Sequence, residues 1–280
     1  MSAAATAGTL PQRRSPIGGN ISSLATLASR RLALTARTPR ELVVPLLTPV
    51  LFALVIAPAL KKALHTSASY ESFVAVGTLG LLIPLNTMFS GLSVIVDRES
   101  GAQRELLAAP INRSLLVFGN LVIAVATTAL QVGVLIAFAV IRRIHLHPTM
   151  SGVLWFICVA LLFAIAMYGV AETLAARVPR SEEYIARLPA IAIVPWFLAG
   201  SLFPITALPL GLTWIARFLP LTHALALMRY GLLGDSTGLH TIWRMTDPTA
   251  MAAMSLGVVA LFAALLTTAA VRAFKHAAVA

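Results

Sequence analysis

Six stretches of this chain are too long, too apolar and too poor in charge to be elements of a water-soluble domain. They cover residues 42–60, 73–96, 115–141, 152–175, 188–203 and 250–270. A run of ~20 apolar residues crosses a hydrocarbon core ~30 Å thick. Inside that core no water can satisfy a backbone amide, so only helices and closed barrels span it. The alternating pattern of barrel strands is absent, which leaves helices. The expected fold is therefore an all-α integral membrane protein with six transmembrane helices. Only 11% of the 280 residues are charged, against ~25% in a soluble domain. Almost all the length lies in or near the bilayer, so a large soluble catalytic domain has no room.

The segments between the spans complete the expected organisation. Residues 1–20 are small, polar and basic, with Arg13 and Arg14, and lack the apolar stretch of a signal peptide. They are expected to form a flexible cytoplasmic tail. Residues 21–41 mix Leu24, Leu27, Leu32 and Leu34 with Arg30, Arg31 and Arg37. That is too charged to span and suits an N-terminal amphipathic helix lying in the interface. Residues 42–280 then form one six-span domain. Its fifth span, 188–203, is short, carries Pro189 and Pro195, and stops at Pro204. From there to Thr249 the chain is too apolar for a loop and too broken for a span. Re-entrant or interfacial short helices before the last span fit it best.

Charge orients the chain. With the N-terminus inside, 14 of the 21 Lys and Arg face the cytoplasm and 7 face outward. Basic residues collect on the cytoplasmic side, so both termini are expected there. The same bias accounts for the net charge of +11 without nucleic acid. No internal repeat relates the six spans, which weakens an inverted-repeat transporter.

Several chemistries lack their residues. The three lysines, Lys61, Lys62 and Lys275, sit in no phosphate-cradling Gly-Lys-Ser/Thr context. Transport driven by ATP would need a nucleotide site on another polypeptide. No nucleophile elbow, HExxH pair or dinucleotide fingerprint occurs. The single cysteine, Cys158, allows no internal disulfide. His145 and His147 lack an obvious third metal ligand. Glu172 falls near the inner end of the fourth span and is expected at the interface or beside a cytoplasmic arginine. No carboxylate falls clearly at mid-membrane, where a proton-coupled pump needs one.

Two features remain. Asn86, Ser90, Ser93 and Asp97 recur at spacings of four, three and four, hence on one helical face. That face should turn away from lipid, as helix-to-helix glue or as the wall of a substrate path at a dimer interface. Trp196 and Phe197 in the fifth span are core or interface anchors, or the apolar lining of such a path. After the second span comes the densest mixed-charge island, Asp97 to Arg113. Arg98, Glu99, Arg104 and Glu105 can stand on a short helix at the membrane boundary. Leu106 and Leu107 give it an apolar side and Pro110 ends it. It reads either as a solvated loop or as a docking knob for a soluble partner.

The order of residues in that island resembles the first cytoplasmic loop of ABC type-2 exporter permeases, including the daunorubicin-resistance type of multidrug exporter. The resemblance rests on acidic-Arg-Glu-x-Gly from Asp97, then Arg104-Glu105-Leu106-Leu107-Ala108-Ala109-Pro110-Ile111-x-Arg113, then Leu115-Leu116 and Gly119-Asn120. A second motif follows the fifth span: Phe203-Pro204, Leu208-Pro209, Trp214-Ile215, Leu219-Pro220-Leu221-Thr222 and Met228-Arg229. It is similar to the outer segment of the same permeases. The basic interfacial helix, the proline-rich first span and the span count agree. Asn120 departs from the pattern, which has a lysine or arginine there.

The resemblance implies a permease subunit that binds no cofactor itself, with ATP and Mg on two copies of a partner ATPase. Arg98, Glu99, Arg104, Glu105, Leu106, Leu107, Pro110 and Arg113 would couple to that ATPase. A second permease copy or a sister permease would complete the exporter in a bacterial inner membrane. Spans two and five would flank a path lined by Asn86, Ser90, Ser93, Trp196 and Phe197. The cargo would be a lipophilic drug or a lipid-like product, or lipid-linked polysaccharide. Two other readings compete. A secondary transporter needs a membrane-embedded carboxylate. A membrane enzyme would use His223, Arg229, Asp235, His240 and Asp247 of the outer segment.

Overall fold

The computed structural model describes residues 68–103 and 113–277 continuously, with isolated positions between 26 and 62. The expected tail lies outside the described residues. So do the interfacial helix and the first span, apart from isolated positions and a π-helical segment, Phe52–Ile56.

Every extended element among the described residues is helical. Helix α1 is Ala68–Glu99, α2 is Arg113–Ile141, α3 is Met150–Arg177 and α4 is Ser181–Leu198. Three short helices follow: α5, Leu210–Phe218; α6, Pro220–Leu233; and α7, Thr237–Trp243. The last, α8, is Pro248–Ala277. Among these, α1, α2, α3 and α8 are long and apolar enough to cross a membrane. The α5–α6 pair, bent by 78° at Leu219, would make a fifth crossing if taken as one broken span. Pro220 at the first turn of α6 starts that helix, because its missing N–H is an orphan there anyway.

Helix α3 is the hub, packing against α8, α1, α6 and α2. Small residues allow the close approach. A Cβ on Gly169 would sit 2.6 Å from the carbonyl carbon of Leu266 and 2.8 Å from the amide of Thr267, both backbone atoms of α8. Gly152 of α3 and Gly231 of α6 face each other in the same way, each pressed on the other's carbonyl. Without a hydrophobic force between helices in lipid, such backbone proximity supplies the packing energy. The interior is filled by Phe163, Leu82, Ile83, Met88, Leu225 and Trp196, all at most 1% exposed. Outward faces such as Val122, Leu130, Leu154 and Leu161 stay exposed and apolar, as suits a lipid boundary.

Two expectations need correction, and a third gains detail. The helix of the fifth run spans Ser181–Leu198, not 188–203. Glu182, Glu183 and Arg187 stand on exposed turns of α4, while Tyr184 and Leu188, four residues apart, point into the core. Arg98 and Glu99 close the last turn of α1 and do not belong to a separate short helix. Gly101, at φ +82°, breaks the helix after them. Glu172, near the end of α3, points into the bundle. It is 1% exposed inside the bundle, where Tyr168 Oη donates to its Oε2 at 3.0 Å.

Candidate functional site

The ends of α1 and α3 and the start of α4 meet at one end of the bundle, and charge ties them together. Helix α1 has 32 residues, hence ~48 Å of length at 1.5 Å per residue. It outruns a ~30 Å core and carries its last turn beyond it. There Arg98 reaches across to the end of α3. Its Nη1 donates to Ala175 O at 3.0 Å. Its Nη2 donates to Val178 O and, at 3.2 Å, to Pro179 O. These are among the carbonyls that a helix end leaves without partners, and a guanidinium there also meets the negative end of the dipole.

Glu99, the next residue, holds the start of α4. Its Oε1 accepts from the Ser181 amide at 2.9 Å, and Oε2 pairs with Ser181 Oγ at 3.2 Å. Arg180, the N-cap of α4, makes no side-chain cap bond, so the cap comes from a residue 82 positions away. A carboxylate at a helix N-terminus is the favourable sign. Arg98 and Glu99 thus clamp the link between α3 and α4 onto α1.

Beside the clamp lies an open hollow of about 700 Å³ lined by Glu99, Pro179, Arg180, Glu182 and Glu183. Among the described residues, three carboxylates line it against one guanidinium, a net acidic set. The Arg187–Glu183 pair is 3.9 Å apart with both side chains half-exposed, and such a solvated pair contributes little. Of the other predicted coupling residues, Arg104, Glu105, Leu106, Leu107 and Pro110 lie outside the described residues, and Arg113 opens α2.

The second predicted group divides. Asn86 is buried and its Nδ2 donates to Thr128 Oγ1 at 2.5 Å and Thr127 Oγ1 at 3.3 Å, pinning α1 to α2. Trp196 is fully buried, and its indole N–H donates to Gly77 O at 2.7 Å, pinning α4 to α1. Ser90 and Ser93 are partly exposed, and Ser93 Oγ donates to Ser90 O within its own helix. Phe197 is 43% exposed. Tyr184 was missed by sequence reasoning. It is buried and donates to Met88 O at 2.9 Å, a second α4–α1 pin. Its signal was the i, i+4 pairing with Leu188 beneath the charged residues.

The sequence profile of the ABC-2 type transporter family matches residues 22–233. The transport permease ycf38 of Cyanophora paradoxa is 26% identical over 216 residues, which is 75% of this chain and 74% of that protein. The ycf38 permease of Porphyra purpurea is 26% identical over 66% of this chain and 64% of its own length. Nodulation protein J of Rhizobium leguminosarum bv. viciae is 26% identical over 60% of this chain and 64% of its own. The match to these last two therefore spans less than two thirds of their length.

Proposed function

From the premise that the chain belongs to the ABC-2 type transporter family, we propose that it is the membrane-spanning subunit of an ATP-driven exporter. A separate ATPase, present in two copies, would supply the energy, and a second permease copy or a sister would complete the pore. The cargo is lipophilic or amphipathic, a drug or a lipid-like molecule, leaving the cytoplasm of a bacterial cell. In this reading the chain has six spans with both termini inside. Residues 42–60 form the first span and α4 the fifth. The pair α5–α6 is re-entrant from the outer side.

The observation that carries the proposal is the clamp of Arg98 and Glu99 on the α3–α4 link. It makes two separate cytoplasmic segments into one block, continuous with α1 and α4. A soluble motor pressing on that block acts on both helices at once. The acidic hollow beside it suits a basic segment of the motor. Residues 104–113 follow α1 in sequence and would complete the contact. Ser90, Ser93 and Phe197 remain the candidates for a path wall, because Asn86 and Trp196 are engaged in packing.

The test has two parts. Purification in gentle detergent from native membranes should bring down a chain with a nucleotide-binding loop in fixed ratio. Reversing Arg104 and Glu105 should uncouple ATP hydrolysis from transport while leaving membrane insertion intact. Unaltered transport by that variant would remove the coupling role. A second reading, secondary transport without ATP, draws on Glu172, a carboxyl 1% exposed within α3. It requires activity of the isolated chain in ATP-free vesicles and loss of that activity in Glu172→Gln.

A further inference from the structure

At the end of the bundle opposite the clamp, a cavity of about 200 Å³ opens between α1, the segment that follows α4, α6 and α7. Its lining holds Phe73, Ile205, Thr222, Arg229, Asp235 and Thr241 among others. That is smaller than the ~300–1,000 Å³ of a drug-sized pocket and large enough for a headgroup.

The charge inside it is unusual. Arg229 is 5% exposed, yet among the described residues it forms no ion pair. Its guanidinium lies 3.4 Å from the centre of the Phe73 ring. Its Nη2 donates to Ser201 O at 3.1 Å and Phe73 O at 3.3 Å. These contacts fix the group in place, and the Asp235 carboxylate acts on it across the cavity without an ion-pair contact. Arg229 Nε and Thr222 Oγ1 are both buried with no hydrogen-bond partner. Buried polar groups are ordinarily satisfied, and a buried cation is ordinarily paired. A planar guanidinium and a hydroxyl two turns apart on one helix, lining one cavity, offer donors to the oxygens of a phosphate or carboxylate.

Asp235 stands on the same lining. Its Oδ1 accepts from the Thr237 amide at 2.9 Å, and its charge faces Arg229. It is partly exposed, whereas Arg229 is deep. A simple anion would meet Asp235 unfavourably as it entered. A zwitterion matches both groups. We propose that this cavity binds the zwitterionic headgroup of an amphiphile, its oxyanion on Arg229 and Thr222 and its primary ammonium on Asp235. The site does not depend on how transport is driven.

The experiment is lipid titration of the full chain in detergent, read by native mass spectrometry. Phosphatidylethanolamine is compared with phosphatidylglycerol, which has the phosphate without the ammonium. The unaltered protein should bind phosphatidylethanolamine at least fivefold more tightly. Asp235→Asn, a partly exposed change that the fold tolerates, should erase that preference. Thr222→Val, which removes an unpartnered hydroxyl at nearly constant shape, should weaken both lipids. O-phosphoethanolamine is added as a soluble arm. Saturable binding of it as tight as the lipid assigns the same chemistry to a soluble ligand, and binding of the lipid alone assigns it to the membrane. Equal affinity for the two lipids in the unaltered protein, or a preference unchanged in Asp235→Asn, overturns the proposal.

Discussion

Replacing Arg98 with Met keeps most of the side chain's apolar stem and removes the guanidinium. Three acceptors are lost: Ala175 O, Val178 O and Pro179 O. A hydrogen bond from a charged donor contributes about 1.5–3 kcal/mol. The bond to Pro179 is exposed, so water replaces it at small cost. The other two are partly buried. Counting them at the low end gives about 3 kcal/mol, roughly a hundredfold in the equilibrium between a held and a released α3–α4 link. The Glu99 cap on Ser181 survives the change, so α4 beyond its first turn stays helical. Hydrogen exchange of the full chain should then show residues 178–184 opening about a hundredfold faster. Amides in the buried α6, such as that of Leu227, should keep their protection. Glu99→Gln keeps an acceptor for Ser181 but loses the charge at the helix start, about 0.3–1 kcal/mol, and should produce a smaller opening of the same segment. Exchange at 178–184 within threefold of the unaltered protein in Arg98→Met would refute the clamp.

Three further outcomes are expected. Gly169→Val places side-chain atoms against the α8 backbone, which cannot yield as a side chain would. Overpacking of this kind costs about 1–3 kcal/mol, so the variant should aggregate at lower temperature in mild detergent. Asn86→Leu removes the α1–α2 hydrogen bonds, each about 0.6 kcal/mol and at most about 1.7 in a membrane. It should lower the melting temperature by a few degrees with transport retained, and lost transport at unchanged melting would place Asn86 in the cargo path instead. Trp196→Phe leaves Gly77 O without its donor, at about 1–3 kcal/mol for a buried unsatisfied group. It should loosen α4 from α1, measured as faster disulfide trapping between cysteines placed across that seam.

Helices α1, α2, α3 and α8 were legible because hydropathy alone marks a span of this length. The expectation of short helices over 204–249 met α5, α6 and α7, because Pro209 and Pro220 interrupt apolar sequence. The start of α4 was not legible. Its charged residues occupy only the exposed faces of the first two turns, and a charge count cannot distinguish that from a loop. The clamp was half legible. Arg98 and Glu99 stand out as charges at a membrane boundary, but their partners are three carbonyls and the Ser181 amide and hydroxyl, about 80 positions away. Backbone groups exist at every residue and leave no mark in a sequence. Arg229 reads as one more outer charge, and only the packing of α1 and α6 reveals that it is buried.

The same two helices frame both ends of the molecule. Helix α1 carries Arg98 and Glu99 at one end. At the other it carries Phe73, whose ring and carbonyl hold Arg229. Those positions are 25 residues apart, ~37 Å along the helix. Helix α4 starts at Ser181 in the clamp and leads to Ser201, whose carbonyl also holds Arg229. Between the ends the two helices are pinned twice, by Tyr184 on Met88 and by Trp196 on Gly77. Pro84, the one position where α1 lacks a helical N–H, lies between those pins. Pro189 and Pro195 of α4 also lie between them, so a bend of α1 at Pro84 needs a matching bend in α4 or the loss of one pin. The pins therefore tie a bend of one helix to the other, and a contiguous packed route joins the clamp to the Arg229 cavity.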